Sequence, residues 1–284
     1  MNVPLSTSLD EVLIITGPTA SGKSSLAYKT IGNSPAVFIT IDSKQLYQGL
    51  PITSGADVVD LPNITHLGFG HFLPDQTASA VDYAKFVHDQ IRKYLGKVQI
   101  VLVGGSGFYL KAILTTSSFS TTKADPILRA RLADYSLEQL QQELARLSPK
   151  TFAALNDSDR ANPVRLIRRL ELIASPHVPL ADYHFKNKTY YLNPPANHED
   201  LIRKRVIARL DQGAIEEVSL LLKNYPNPEL PIKSTIGVSL IIDYQNHHDL
   251  DKLINDWTSA EIAYSKRQLT WFKKTPSLIW YDQT

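Results

Sequence analysis

Apolar and polar positions alternate in two different ways along this chain. In the first part, short runs rich in β-branched residues stop abruptly at glycine or aspartate. Glu11-Val-Leu-Ile-Ile-Thr16 precedes Gly17, Ala36-Val-Phe-Ile-Thr-Ile41 precedes Asp42, and Gln99-Ile-Val-Leu-Val103 precedes Gly104-Gly105. Runs of this length predict strands buried on both faces, as in a parallel sheet. Helical stretches separate them. One follows Lys23, and another covers 80–95, where Val81, Ala84, Val87, Ile91 and Leu95 fall near helical spacing. Strands alternating with helices imply right-handed crossovers and an α/β, doubly wound sheet. Ligands of such sheets bind beyond the carboxyl ends of the strands. All three predicted strands end there in residues that can do chemistry.

From about Pro126 the pattern changes to long amphipathic stretches: Leu128–Leu147, Pro163–Ile173, Glu199–Leu222 and Thr258–Lys274. Thr189-Tyr-Tyr-Leu192 and Leu278-Ile-Trp-Tyr281 read as short strands that would complete the sheet. The expected organisation is therefore a core over 1–125 and a mainly helical part over 126–284, whose last segments return to the core.

Composition narrows the class. Of 284 residues, 43% are hydrophobic and 20% charged, which excludes a disordered or collagen-like chain. Thirty basic against twenty-eight acidic residues give +2, so nucleic acid could be met by a local basic face but not by wholesale coating. There is no cysteine, which removes disulfide scaffolds, thiolate metal sites and cysteine nucleophiles and suits a reducing cytosol. Met1 to Asp10 shows no basic-then-apolar leader, and no apolar run approaches the roughly 18–20 residues of a membrane helix. A cytoplasmic protein with no membrane partner is expected.

Gly17-Pro-Thr-Ala-Ser-Gly-Lys-Ser24 matches the P-loop pattern between a strand and a helix. Successive backbone N–H groups of such a loop surround an anionic phosphate, and the next helix adds its positive dipole end. Gly17 and Gly22 allow the tight turn, Lys23 supplies a point charge, and Ser24 offers a hydroxyl to Mg²⁺. The fold class becomes a P-loop NTPase-like doubly wound sheet with a mainly helical inserted or C-terminal subdomain. The loop binds a pyrophosphate group and does not by itself specify a nucleotide. Asp42, one crossover away, has two readings: a carboxylate facing the phosphate-bearing ligand as base or metal holder, or a cap for the following turn. Its place at the sheet's carboxyl edge favours the first. Gly104-Gly-Ser-Gly107 has two readings as well, a close approach to a bulky ligand or a tight strand–helix turn.

Taken together, these residues resemble a known family, the tRNA dimethylallyltransferases (tRNA isopentenyltransferases). Gly17–Ser24, Asp42-Ser-Lys-Gln-Leu-Tyr-Gln-Gly49 and Val103-Gly-Gly-Ser-Gly-Phe-Tyr-Leu110 are similar to three of its blocks, in order. Asn162-Pro-Val-Arg-Leu-Ile-Arg-Arg-Leu-Glu171 resembles its tRNA-contacting helix. The segment 205–218 resembles its arginine-bearing helix, and Lys266-Arg-Gln-Leu-Thr-Trp-Phe272 its C-terminal signature. The likeness covers essentially the whole chain, in the short bacterial form.

The resemblance implies transfer of a dimethylallyl group from dimethylallyl diphosphate to the exocyclic amine of the adenosine 3′ of the anticodon, with Mg²⁺. Gly17, Pro18, Thr19, Ala20, Ser21, Gly22, Lys23 and Ser24 would hold the donor's diphosphate in what resembles an ATP site, Ser24 also meeting the metal. Asp42 would be the general base, and Thr19, Lys23 and Arg205 would stabilise the leaving group. Asp42, Ser43, Lys44, Gln45 and Ser106 would meet the target base. Val164, Arg165, Leu166, Ile167 and Arg168 would meet the tRNA anticodon stem-loop. A monomer is expected. Basic residues between Arg160 and Arg209 acquire an RNA-facing role on the same ground, against the ordinary reading of a solvated helix face. Lys266, Arg267, Lys273 and Lys274 are read likewise, with Trp271 and Phe272 as core. His66 is expected to be structural, and the His247-His248 pair to be solvated.

The chain departs from the family at several points. Leu50-Pro-Ile-Thr-Ser-Gly-Ala56 stands where Asp-Ile-Gly-Thr-Ala-Lys usually follows the glycine. Lys44 replaces a common neutral residue, Val164 a glutamine and Leu201 an arginine, and 125–148 is short. The competing readings are a P-loop kinase, a free-nucleotide isopentenyltransferase and a tRNA-binding protein without catalysis.

Overall fold

A computed structural model describes residues 5, 8–56, 58–115, 119–175, 178, 183–227, 230–275 and 277–282. Its sheet has six strands: β1 (Val12–Thr16), β2 (Ala36–Thr40), β3 (Ile64–Leu67), β4 (Gln99–Val103), β5 (Asn187–Leu192) and β6 (Ile279–Tyr281). Their order is β3-β2-β4-β1-β5-β6, and every neighbouring pair is parallel. Every residue of β1, β2 and β4 is buried, which is why these runs lack the alternation of a one-faced strand. Register aligns the chemistry: Ile15 and Thr40 both pair with Val103. The three strands finish level, so Gly17, Asp42 and Gly104 emerge at one edge.

Around the sheet lie α1 (Lys23–Ile31), α2 (Pro51–Ser54), α3 (Ala80–Tyr94) and α4 (Gly107–Leu114). A group α5 (Pro126–Leu132), α6 (Leu137–Leu147), α7 (Pro149–Ala153), α8 (Asp157–Arg160) and α9 (Pro163–Ala174) follows. After β5 come α10 (His198–Asp211), α11 (Ala214–Asn224), α12 (Ile236–His247) and α13 (Leu250–Phe272). Two expected helices are divided. Ser136 and Gln139 form a capping box that starts α6 afresh. Gly213, at φ +96°, ends α10 and begins α11 in a conformation that favours glycine. The last helix begins earlier than its apolar pattern, where Asp249 accepts the Lys252 N–H.

The chain forms two compact units, 1–114 with 183–284, and 115–182. These do not coincide with a division at residue 125. The helices after β5 build one core with the α2 region, including Leu50, Val206, Val218, Leu221, Ile241 and Trp257. The helical second half is therefore mostly part of the sheet-bearing unit. The unit 115–182 has its own leucine core of Leu128, Leu132, Leu140, Leu144, Leu155, Leu166 and Leu170. Beside it Glu171 is fully buried, accepting from Arg129 Nε at 2.6 Å, Arg168 Nη1 at 3.0 Å and the Asp125 N–H at 3.1 Å. Burial pushes its pKa up, but the bonds from Arg129, Arg168 and Asp125 outweigh that and hold the carboxyl below its ordinary value.

Candidate active site

The loop 17–24 leaves β1 at Gly17, whose φ is +150°, and a Cβ there would lie 2.7 Å from Leu192 O on β5. Gly22 sits at φ +80° immediately before α1. That helix has no acidic residue in its first turn and no side-chain cap, so its first N–H groups remain available to an anion. Lys23 is half-buried and donates from Nζ to Pro18 O at 2.6 Å. Burial lowers its pKa to about 8. Arg205 pushes the same way, while Asp42 and Glu261 oppose it.

Asp42 lies two residues beyond β2, just after Ile41, whose N–H bonds Val103 O at 2.7 Å. Its Oδ1 accepts the Lys44 N–H at 3.1 Å, so the capping role exists. Burial raises its pKa. The Lys44 N–H and the Lys23 charge act the other way without cancelling it. Asp42 and Lys23 line one cavity of about 730 Å³, together with Thr19, Ser24, Gln45 and Arg205. The carboxylate and the phosphate loop thus face a common space, where a raised carboxyl can take a proton and a cationic loop can hold an anion.

The supporting contacts come from sequence-distant elements. Gln268 on α13 accepts the Thr19 N–H at 2.9 Å through Oε1 and donates to Gly105 O at 3.0 Å through Nε2. His198 Nε2 on α10 donates to Thr19 O at 2.7 Å. The phosphate loop is therefore pinned from two helices of the second half, which sequence reasoning had not assigned to it. Gln268 stands inside the quoted C-terminal block, and that block was the one available signal. The glycine turn has a packing reason. A Cβ on Gly104 would lie 2.5 Å from Ile41 C and 2.7 Å from Asp42 N. On Gly105 it would overlap Gln268, and on Gly107 it would overlap Trp271.

Gln45 accepts from Thr40 Oγ1 at 2.6 Å and donates to Gly55 O at 2.8 Å, tying Asp42's strand to the loop after α2. Glu217 accepts the Ile52 and Thr53 N–H groups at 2.8 and 2.7 Å, which gives the acidic pair opening α11 a structural task. Ser106 Oγ accepts the Ser43 N–H at 2.9 Å, and Lys44 Nζ donates to Ser234 at 2.9 Å. Ser43 and Ser106 also line a second concavity of about 240 Å³ with Phe108, Tyr264, Arg267 and Trp271. Phe272 is buried, as expected of a core residue. Trp271 is 41% exposed because α13 turns it toward Gly107 at the surface, which corrects its reading as core. His66 bonds Tyr28 and stacks near Phe38 in the sheet layer.

The remaining sequence-derived residues lie on α9 of the other unit. Val164 is exposed, and Arg165 is exposed and paired with Asp159. Arg168 is held by Glu171 and by Thr122 O at 2.6 Å. Leu166 is fully buried in the leucine core and Ile167 packs against it, so these two side chains serve folding. Other basic residues are also paired: Lys188 with Glu11, Lys266 with Glu199, and Arg203 with Asn255. Among the described residues no group of three His, Asp or Glu could hold a metal, and no helix is long and apolar enough to cross a membrane.

The family model for IPP transferase matches residues 45–275. The tRNA dimethylallyltransferase of Christiangramia forsetii is 32% identical over 94% of this chain and 92% of its own. The chain belongs to the IPP transferase family. The tRNA dimethylallyltransferase of Rhizobium meliloti is also 32% identical, over 95% of this chain and 94% of its own. Among solved structures, the full-length tRNA isopentenylpyrophosphate transferase of Bacillus halodurans superposes with a TM-score of 0.69 at 24% identity, covering 96% of this chain and 90% of that one. A eukaryotic dimethylallyltransferase acting on tRNA superposes at 0.76 with 19% identity, covering 96% and 74%. These structures share the P-loop NTPase-like fold. The family match begins at Gln45, so Asp42 and the phosphate loop rest on their own motif and geometry.

Proposed function

We propose that this IPP transferase family member moves a dimethylallyl group from dimethylallyl diphosphate to the exocyclic amine of the adenosine 3′ of the tRNA anticodon, releasing diphosphate. The observation that carries the reading is the single cavity lined by both Asp42 and the Lys23 loop. An exocyclic aryl amine is a weak nucleophile, because its lone pair is delocalised into the ring. As its nitrogen bonds to the allylic carbon, the allylic C–O bond breaks and the N–H proton passes to Asp42. The raised carboxyl pKa suits a base, since proton affinity nearer the working pH strengthens the proton's acceptor. Negative charge grows on the departing diphosphate, and we assign its stabilisation to Lys23, Arg205, Thr19 and the loop N–H groups. Ser24 lines the cavity, and among the described residues no acidic cluster could hold a metal, so a Mg²⁺ there would be carried mainly by diphosphate oxygens and water. Such an ion supplies charge neutralisation to the leaving group.

The target base must leave its stack, at about a few kcal/mol. Ser43, Lys44, Gln45 and Ser106 beside Asp42 supply polar edges to offset that cost, while Val164 and Arg165 offer an exposed surface to the stem-loop. The protein acts as a cytoplasmic monomer. The test is mass analysis of tRNA nucleosides after incubation with donor and Mg²⁺. Adenosine at that position should gain one dimethylallyl group, and free AMP should remain unmodified. Unchanged tRNA under conditions where the donor binds would refute the reading.

A further inference from the structure

One wall of the cavity is a single stripe of α10. Leu201, Lys204, Arg205, Ala208 and Arg209 all line it, and their steps of three and four residues place them on one helix face. Thr19, Gly22, Lys23 and Ser24 of the phosphate loop line the same cavity. The three cations of the stripe stand differently. Arg209 is buried and paired with Glu261, to which its Nη1 donates at 3.1 Å. Arg205 is half-buried and also engaged within the protein. Gly55 packs against both, since a Cβ there would fall within 3.0 Å of Arg209 Nη2 and of Arg205 Nη2. Lys204 is exposed, and among the described residues its ammonium ion has no hydrogen-bonded or ion-paired partner.

A lysine serving only to solvate this helix has a partner at hand. Asp200 precedes Lys204 by four residues, the order in which an acid and a base best support a helix. No ion pair joins the two among the described residues, and Lys204 lines the cavity instead. The chemistry of the phosphate loop says what an ammonium ion can do there. An anion seated on the loop N–H groups and Lys23 is met from one side only, and its remaining oxygens face the cavity. A diphosphate has more oxygens than one cradle covers. Lysine brings three rotatable donors on a flexible four-carbon stem, so it can meet whichever oxygens face it. Having no partner to leave, Lys204 loses no protein contact in doing so.

We propose that Lys204 is a donor-binding residue whose ammonium ion attracts the diphosphate into the cavity and closes on the oxygens that the phosphate loop leaves uncovered. The assignment rests on the transferase reading above. It adds to that reading a residue that lies outside the P-loop pattern and outside the segments that resemble the family's blocks. The phosphates of tRNA are the competing occupants of such a charge, and the test separates them.

The test titrates inorganic pyrophosphate with Mg²⁺ into the full-length protein by calorimetry, at low and at high salt, with melting temperatures and tRNA affinity measured alongside. Lys204→Met should weaken pyrophosphate binding by about three- to tenfold at low salt and by less at high salt, because an exposed charge is screened. Lys204→Glu should weaken it further, and Lys204→Arg should stay near wild type. All three should melt within about 1 °C of wild type, since the ammonium ion holds nothing in the folded protein. Lys204→Met should also keep wild-type tRNA affinity. Pyrophosphate binding unchanged in both Lys204→Met and Lys204→Glu would overturn this assignment alone. A weakening that comes with a lower melting temperature would overturn it too, because the role would then be structural. Weaker tRNA binding with unchanged pyrophosphate binding would give the residue to RNA. Wild-type protein that binds no pyrophosphate would overturn the transferase reading and this inference together, which separates the two failures.

Discussion

Replacing Gln268 by leucine tests whether the phosphate loop is held in shape by the C-terminal helix. Gln268 is 5% exposed and satisfies two backbone groups that have no neighbour in their own segments: the Thr19 N–H at 2.9 Å and the Gly105 carbonyl at 3.0 Å. Leucine fills a similar volume and offers neither bond. A buried polar group left unmade costs about 1–3 kcal/mol. Two such groups, less the relief of no longer burying the amide, give a loss of about 2–4 kcal/mol. In a unit of this size that lowers the melting temperature by roughly 5–10 °C. The same change unpins the loop at Thr19 and loosens its shape, so donor affinity should fall while the sheet remains intact. Thermal unfolding by circular dichroism, donor titration and hydrogen exchange at the Thr19 amide read the three consequences separately. Gln268→Glu resolves the two bonds. It can still accept from Thr19, but it sets a carboxylate against the Gly105 carbonyl, a penalty that should ease as pH falls and the carboxyl gains a proton. A leucine variant melting within about 1 °C of wild type, with unaltered donor affinity, would refute the claim that this side chain holds the loop.

Asp42→Ala should lower single-turnover transfer by about two to four decades and leave tRNA affinity within about twofold, as loss of a general base requires; a fall in tRNA affinity matching the rate loss would assign Asp42 to binding instead. Burial sets Lys23 near 8, so the free protein loses this charge as pH rises through that value, and dimethylallyl diphosphate should bind more weakly at pH 9 than at pH 7. Lys23→Arg should flatten that dependence, and a wild-type affinity constant from pH 7 to 9 would contradict it. Lowering pH through the raised Asp42 pKa should shut down turnover from the acid side, giving a bell-shaped profile. In the 115–182 unit, Glu171→Ala strands Arg129 and Arg168, both part-exposed and able to rehydrate, so about 2–3 kcal/mol is expected in place of the larger cost of a sealed pair. The loss should appear as faster amide exchange confined to 115–182.

Much of the sheet could be read in advance because its central strands are buried on both sides. Val12–Thr16, Ala36–Thr40 and Gln99–Val103 carry no polar face, and their apolar runs stop where the backbone turns out toward the cavity. β3 escaped notice. Its four residues, Ile-Thr-His-Leu, include one buried side chain and sit at the sheet's edge, where packing demands little of a sequence. Helix breaks at Ser136 and Gly213 were masked by apolar spacing that continues across them, since a periodic stripe does not register a cap. The two-unit division escaped for a related reason. Amphipathic stripes announce that a face is buried, not which neighbour buries it.

The order of residues alone determined the glycine-rich loop 17–24, the carboxylate one crossover away and the parallel sheet that presents both. Each of these follows from local backbone needs: glycines where φ turns positive, a lysine opening a helix, β-branched runs between. The pairing of distant groups was decided only by folding. Thr19 meets Gln268, Gly55 leaves room for two guanidinium groups, and Glu261 holds Arg209 across 52 positions of chain. Contacts of that kind depend on how helices pack, and no spacing within a single segment encodes them.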